Sequence, residues 1–339
     1  MRVGIDARKI ADFGIGTYIR GLLYGLVAAG GGDTYVAFAP KRVAPLLPPG
    51  VEHVEVDSPH YSLRELVSVG RAVDRSAIDL FHAPHYVVPF TRVPFVVTIH
   101  DLIHLRHPSA VARMYARQMI GRAVGRSRRV LTVSEAVKRE IVATFGCGDE
   151  HVAVTPNGVG APFVVEGHAV EGRYFLYVGN DKTHKNVDLL VDSFGRFLGR
   201  MAGISLVLTG APFERFQDRD GVIVSGFVDD DEVAALYRGA LALVMPSREE
   251  GFGLPALEAM ACGCAVITST APALVEITSD AALHVAPDVD AIVDAMHRIA
   301  SDDVLRGALV RRGIERAQTF TWTRCATLTS DAYRASMTP

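Results

Sequence analysis

The sequence predicts an α/β protein built from two doubly wound domains, each a parallel sheet covered by helices. Three observations carry that prediction. Short apolar, β-branched runs alternate with longer helix-period stretches along the whole chain. The runs fall into two sets, separated by the small-residue stretch GVGAPFVVEGHAVEGRY at positions 158–174. And 339 residues exceed one simple core and suit two.

The strands of the first set are RVGIDA, TYVAFAP, LFHA, FVVTIH, RVLTVS and VAVTP. Those of the second are YFLYVG, SLVLTG, VIVSGF, LALVMPS and AVITS. Helix-period segments between them are the crossovers that parallel strands require. The domains are expected at 1–165 and 172–318, with a boundary near 160–173. After Phe320, TWTRCATLTSDAYRAS reads as one last helix, at 320–335, packing back on the first domain.

Composition narrows the class. With 49% hydrophobic and 22% charged residues, the chain has the balance of a globular cytoplasmic protein. The N-terminus, MRVGIDARKI, has charges where a secretion leader needs its apolar stretch. Cys147, Cys262, Cys264 and Cys325 form no CxxC pair and are expected as reduced, buried thiols. The net charge of −3 is unevenly spread: residues 1–165 hold 19 Lys and Arg against 14 Asp and Glu, the remainder 16 against 24. The stretch from Leu102 to Ser134 carries Arg106, Arg113, Arg117, Arg122, Arg126, Arg128 and Arg129, and no acid. Such a segment is either a solvated basic face or a surface for an anionic membrane or phosphorylated acceptor. Nucleic acid is not an expected partner, because aromatic interleaving and a recognition-helix pattern are absent.

Ligands of an open parallel sheet bind beyond the carboxyl ends of its strands. That rule selects four stretches. In DFGIGTYIRGL, Gly14 and Gly16 allow backbone amides near a phosphate, or make a plain tight turn. Ile19 replaces the third small residue of a dinucleotide fingerprint, which disfavours a nicotinamide oxidoreductase. In FVVTIHDLIHLRHP, His100 ends a strand and could act as a base or donate to a sugar hydroxyl. His100 and His104 have the i, i+4 spacing of a zinc motif around Asp101, but the strand, Pro108 and the missing glutamate argue against metal. In YVGNDKTHKNVDLLVDSF, Lys185 stands at a helix start, where its charge opposes the dipole unless an anion binds; Lys182 lies nearby. In SREEGFGLPALEAMACG, Pro255 fits a first helical turn, and the amides of Gly251, Phe252, Gly253 and Leu254 would face a phosphate. Glu250 lies in that loop and Glu258 a turn inside the helix, each a fork acceptor for vicinal hydroxyls.

EEGFGLPALE resembles the E-x7-E motif of retaining glycosyltransferases with the GT-B fold, in glycosyltransferase family four. TIHDLIHLRHP, VLTVSEAVKREI, VTPNGV, YVGNDKTHKN, SGFVDDDEVAALY and PALVEI look like further landmarks of that family, in its order, so the resemblance covers residues 1 to about 325. It implies two Rossmann-like domains facing each other across a cleft, and its subgroup is similar to bacterial mannosyltransferases of surface polysaccharide or glycolipid assembly. By the resemblance, Glu250 would bind donor-sugar hydroxyls, Glu258 the ribose and Lys185 the diphosphate. Backbone around Phe227 and Val228 would meet the base, Gly16 the phosphate, and His100 the transferring sugar. Asp101, His104, His85 and Tyr86 are candidates on the acceptor side.

The same resemblance implies a nucleotide-sugar donor, GDP-mannose first, and a glycan or lipid-linked acceptor. It implies retention of configuration, with the departing phosphate as base, and no metal or other cofactor. The location would be cytoplasmic, with a peripheral contact to the membrane's inner face through Arg106–Arg129. Two departures stand out. Asn180 and His184 occupy positions where the family pattern has arginine. Lys182 or Arg248 is the expected substitute for the missing charge. Asp229-Asp230-Asp231-Glu232 mimics a DxD metal motif but reads as a helix N-cap. The competing classes are a UDP-sugar enzyme, an idle sugar-nucleotide-binding homologue and a nicotinamide oxidoreductase. Donor turnover and cofactor absorbance separate them.

Overall fold

A computed structural model describes residues 1–58 and 63–338. The chain divides into two compact units, Met1–Gly158 with the segment from Thr321 onward, and Val159–Phe320. In the first unit, β1 (Arg2–Asp6), α1 (Ile15–Ala29), β2 (Thr34–Ala39), β3 (Glu52–Glu55), α2 (Leu63–Arg75) and β4 (Leu80–Ala83) come first. They are followed by β5 (Phe95–Ile99), α3 (Ala110–Arg126), β6 (Arg129–Thr132), α4 (Glu135–Phe145) and β7 (Val152–Val154). All these strands pair in parallel, in the order β3-β2-β1-β4-β5-β6-β7. Two apolar layers cover the sheet. Val69, Val73, Ile120 and Ile141 pack on one face, and Ile19, Leu22, Leu23 and Leu26 on the other.

The second unit contains β8 (Tyr174–Val178), α5 (Val187–Leu198), β9 (Ser205–Thr209), β10 (Val222–Gly226), α6 (Asp230–Gly239) and β11 (Ala242–Met245). Then come α7 (Leu254–Ala261), β12 (Val266–Ser269), α8 (Pro272–Thr278), β13 (Leu283–Val285), α9 (Val289–Ser301) and α10 (Asp303–Ala317). Its strand order, β10-β9-β8-β11-β12-β13, repeats the reversal of the first sheet. Switch points therefore fall between β1 and β4, and between β8 and β11. The edge strands β3 and β13 were not among the predicted runs. Both are short and partly exposed, so no continuous apolar run marks them.

The last helix, α11 (Trp322–Met337), lies against α1 in the first unit. Gly21 and Gly25 make room for it, because a Cβ on Gly21 would stand 2.2 Å from the Trp322 ring, and one on Gly25 2.5 Å from the Trp322 carbonyl oxygen. The stretch expected to link the domains is not loose. Val170 N donates to the Ala235 carbonyl at 3.1 Å, and Arg238 donates to the His168 and Val164 carbonyls at 2.7 and 3.1 Å. It is thereby part of the second unit, which begins some residues earlier than the 172 expected.

Candidate functional site

Helix starts distinguish the ligand edge from the rest of the molecule. Ser109, Ser134, Asp229, Asp288, Asp302 and Thr321 each accept a backbone hydrogen bond as N-caps of α3, α4, α6, α9, α10 and α11. Asp229 forms a full capping box with Glu232, so the DxD-like run is the helix start that was expected. The helices α1, α5 and α7, which follow β1, β8 and β11 at the switch points, have no side-chain cap. Only the short α8 shares that condition among the α-helices whose caps are described. At α5 and α7 the first amides are left for another acceptor, which is how a parallel sheet receives an anion, whereas Ile15 N and Gly16 N of α1 already donate to the Phe13 and Asp12 carbonyls.

Three of those starts require unusual backbone. Gly253, before α7, has φ 99°, and a Cβ there would meet Leu274 at 2.5 Å. Asn186, before α5, has φ 60° and donates to the Pro246 carbonyl at 3.3 Å. That bond, with Arg248 N donating to the His184 carbonyl at 2.8 Å, ties the α5 start to the α7 loop. The two predicted donor segments thus form one surface. Gly251, Phe252 and Gly253 are buried in it, Leu254 is partly buried, and Lys182 and Arg248 are exposed beside it.

Lys185 and Glu250 meet there. Lys185 Nζ donates to Glu250 Oε1 at 2.7 Å and Oε2 at 2.9 Å, with side chains 16% and 9% exposed. One ammonium occupies both carboxylate oxygens, so the pair is neutral without ligand. Glu258 is held differently: the Tyr237 hydroxyl donates to its Oε2 at 3.2 Å. Burial pushes its carboxyl up to about 7, against the lowering by Tyr237 and with a raising contribution from Asp230. Phe227, 60% exposed, and Val228 follow the edge strand β10. Asn180 supplies no charge; its carbonyl accepts from Tyr177 Oη at 2.8 Å.

In the first unit, His100 follows β5. Its Nε2 donates to the Pro84 carbonyl at 2.9 Å, and the Tyr18 ring stands edge-on to it at 4.8 Å. That tautomer leaves Nδ1 an acceptor. Burial lowers the imidazole pKa, partly opposed by the Pro84 carbonyl and Asp101. Of the two roles anticipated for His100, base or donor to a hydroxyl, this geometry suits the first, because the open Nδ1 accepts. Asp101 accepts from Ile103 N at 3.0 Å, and exposed His104 lies edge-on to Tyr86 at 5.4 Å. His85 Nδ1 accepts from Val87 N at 3.2 Å, and its Nε2 faces Asp6 Oδ2 at 3.7 Å.

Gly16 is demanded by packing within the loop, since a Cβ would stand 2.6 Å from the Ile10 carbonyl oxygen. Its amide is donated to the Asp12 carbonyl at 2.9 Å. The chain's own packing is thus sufficient reason for a glycine at this position. Gly14, at φ 64°, is the exposed N-cap of α1.

Two groups escaped sequence reasoning. One is Tyr237. The other is a buried cluster at the end of β1, where Arg8 grips Asp6 through Nε at 2.8 Å and Nη2 at 2.6 Å, and reaches Glu65 at 2.7 Å. The signal for the second was available: two opposite charges, Asp6 and Arg8, close an otherwise apolar strand. Tyr237 carries no such mark, because an aromatic on a helix's inner face reads as core.

A family model described as Glycosyltransferase Family 4 matches residues 14–161, and one described as Glycosyl transferases group 1 matches 163–316. The O-antigen chain mannosyltransferase B of Escherichia coli is 29% identical over 285 residues, covering 75% of this chain and 74% of that protein. The O-antigen chain mannosyltransferase RfbU of Salmonella typhimurium is 34% identical over 238 residues, covering 67% of this chain and 64% of its own. Sucrose-phosphate synthase from Thermosynechococcus elongatus superposes over 98% of both chains with TM-score 0.80 at 22% identity. WaaG, a glycosyltransferase involved in lipopolysaccharide biosynthesis, does so with TM-score 0.77 at 15% identity, over 98% of this chain and 99% of its own. These likenesses establish the fold as GT-B.

Proposed function

The chain is a glycosyltransferase, a member of the families those two models describe, and we propose that it moves mannose from GDP-mannose to a glycan or lipid-linked acceptor with retention of configuration. The work would belong to cell-surface polysaccharide or glycolipid assembly, a reading supported by the likeness to two O-antigen chain mannosyltransferases. The observation that carries this reading is the joined surface of the second unit. An uncapped helix start sits between two differently held carboxylates, with Lys185 on one of them.

On this reading the diphosphate lies over the amides of Gly251 to Leu254, with Lys185, Lys182 and Arg248 supplying positive charge. Glu250, released from Lys185, accepts hydroxyls of the sugar; Glu258 accepts those of the ribose. The base lies by Phe227 and Val228. His100 Nδ1 accepts from a hydroxyl of the transferring sugar, and Gly14 and Gly16 shape the turn before α1. Asp101, His104, His85 and Tyr86 belong to the acceptor side. The bond from the anomeric carbon to the phosphate oxygen breaks, the acceptor oxygen bonds that carbon on the same face, and the acceptor proton passes to the departing phosphate. Preorganised amides and a lysine stabilise the leaving charge without metal.

The acceptor side is read as meeting an anionic membrane surface. On α3, Val111, Met114 and Tyr115 are 72%, 59% and 41% exposed beside Arg117. Other arginines of the segment have local partners: Arg106 pairs with Glu140, and Arg113, Arg122 and Arg129 donate to carbonyls. No helix among the described residues is long and apolar enough to cross a membrane.

A thermal-shift series of GDP- and UDP-sugars tests the donor. The matching donor at 100 times its Kd should add about 2.7 kcal/mol of stability. A UDP-sugar that stabilises while GDP-mannose does not overturns the mannose assignment.

A further inference from the structure

Tyr237 is fully buried near the end of α6, its ring edge-on to Phe163 at 6.1 Å. Its place is fixed from several sides. The Tyr174 hydroxyl donates to the Leu236 carbonyl at 2.7 Å, Val170 N to that of Ala235, and Arg238 to those of His168 and Val164. A Cβ on Gly239 would stand 1.9 Å from the Val170 carbonyl oxygen, so the helix end has no room to shift.

From that fixed point its hydroxyl reaches Glu258 Oε2, whereas Oε1 has no protein partner among the described residues. One oxygen is held and the other is open. We propose that Tyr237 is the positioning residue of the donor site: it holds Oε2 so that an ionised Glu258 presents Oε1 to the donor's ribose hydroxyls, and donor affinity depends on pH through this carboxylate. The proposal rests on the donor-binding reading above.

The charges around Glu258 are few. Of the elements packed on α7, α6 contributes Tyr237 and Asp230. Arg316 of α10 is turned to the carbonyls of Glu276 and Ile277 on α8. Burial holds Cys262 and Cys264 up at about 12, so both stay neutral thiols. The largest influence on Glu258 is burial, which raises its carboxyl; only Tyr237 opposes it. Removing that hydroxyl must therefore move the carboxyl further up.

GDP-mannose is the probe, because its diphosphate is esterified at both ends and does not titrate near neutrality. Calorimetric Kd is followed from pH 6 to 8.5, and folding by thermal melts. Wild-type affinity should fall as pH drops below about 7, the value Glu258 takes here. Glu258→Gln should bind more weakly and lose that step. Tyr237→Phe should bind about 3- to 8-fold more weakly at pH 6.5, equivalent to a shift of half to one unit, and converge on wild type by pH 8.5. Its donor KM should rise while kcat at saturating donor holds. A Tyr237→Phe profile superimposable on wild type, or a flat wild-type profile, overturns the proposal.

The side-chain 13C titration of Glu258 needs no donor and keeps the test apart from the donor assignment. A wild-type midpoint near neutrality, moved up in Tyr237→Phe, supports the proposal even if GDP-mannose fails to bind. An ordinary carboxylate midpoint overturns it, also where Tyr237→Phe does not fold.

Discussion

Glu250 and Lys185 show how a residue's partner changes its meaning. The family resemblance implies sugar and diphosphate as their ligands, yet without ligand they satisfy each other at 2.7 Å. Glu250→Ala should cut turnover by about 100-fold or more, the size of an interaction made to the reacting substrate. The thermal midpoint should stay near wild type, because Lys185, though only 16% exposed, still reaches water once Glu250 is truncated. Turnover near normal would remove Glu250 from its role. Asp6 belongs to the same scale with the opposite purpose. Burial pushes its carboxyl up, but Arg8 and His85 outweigh it and hold it at about 2, against 3.8 when unperturbed. A carboxyl lowered on folding stabilises above its unfolded pKa and loses that contribution as pH falls through the folded one. The loss should fall between about pH 4 and 2. Asp6→Asn leaves buried Arg8 short of its main partner and should cost about 3–5 kcal/mol at neutral pH. Chemical denaturation at pH 7 and pH 3 measures both effects, and a pH-independent difference near zero would refute this account.

At the scale of elements, glycines separate helices that must approach something from helices that need not. Gly25 of α1 faces the Trp322 carbonyl of α11, and backbone cannot rotate aside. Gly25→Ala should destabilise by about 1–3 kcal/mol, the usual cost of overpacking. Gly195 is exposed on α5 with nothing within 4 Å of a new Cβ. Gly195→Ala should stabilise by about 0.5–1 kcal/mol through helix propensity. Urea melts of the pair check the contrast, and equal effects would mean that the α1–α11 contact is looser than it stands here. The uncapped starts of α1, α5 and α7 make the same distinction for polar groups. Six other helices carry a side-chain cap worth about 1 kcal/mol each, and these three forgo it.

Across the whole molecule, the proposed metal-independent transfer at an anionic membrane makes two demands. EDTA should leave turnover unchanged, and activity lost to EDTA but restored by Mn2+ would count against the mechanism. Binding to phosphatidylglycerol vesicles should weaken steeply with salt, because charges beyond about 8 Å are screened at physiological ionic strength; absence of binding at low salt leaves α3 a solvated face. Much of the architecture was legible in the sequence, because apolar β-branched runs must become covered strands wherever they lie. The loop at Ser247–Gly253, the E-x7-E spacing and the cap at Asp229 were legible for the same local reason. The edge strands β3 and β13 were not, since edges bury little and carry no apolar run. Nor were the pairing of Arg8 with Glu65, the tautomer of His100 or the hold of Tyr237 on Glu258. By itself the sequence determined two parallel sheets, their helices and the chemical types at the ligand edge. Only the tertiary structure decided which of those groups are already satisfied, because hydrogen-bond partners 21 to 65 positions apart are joined by packing and not by spacing.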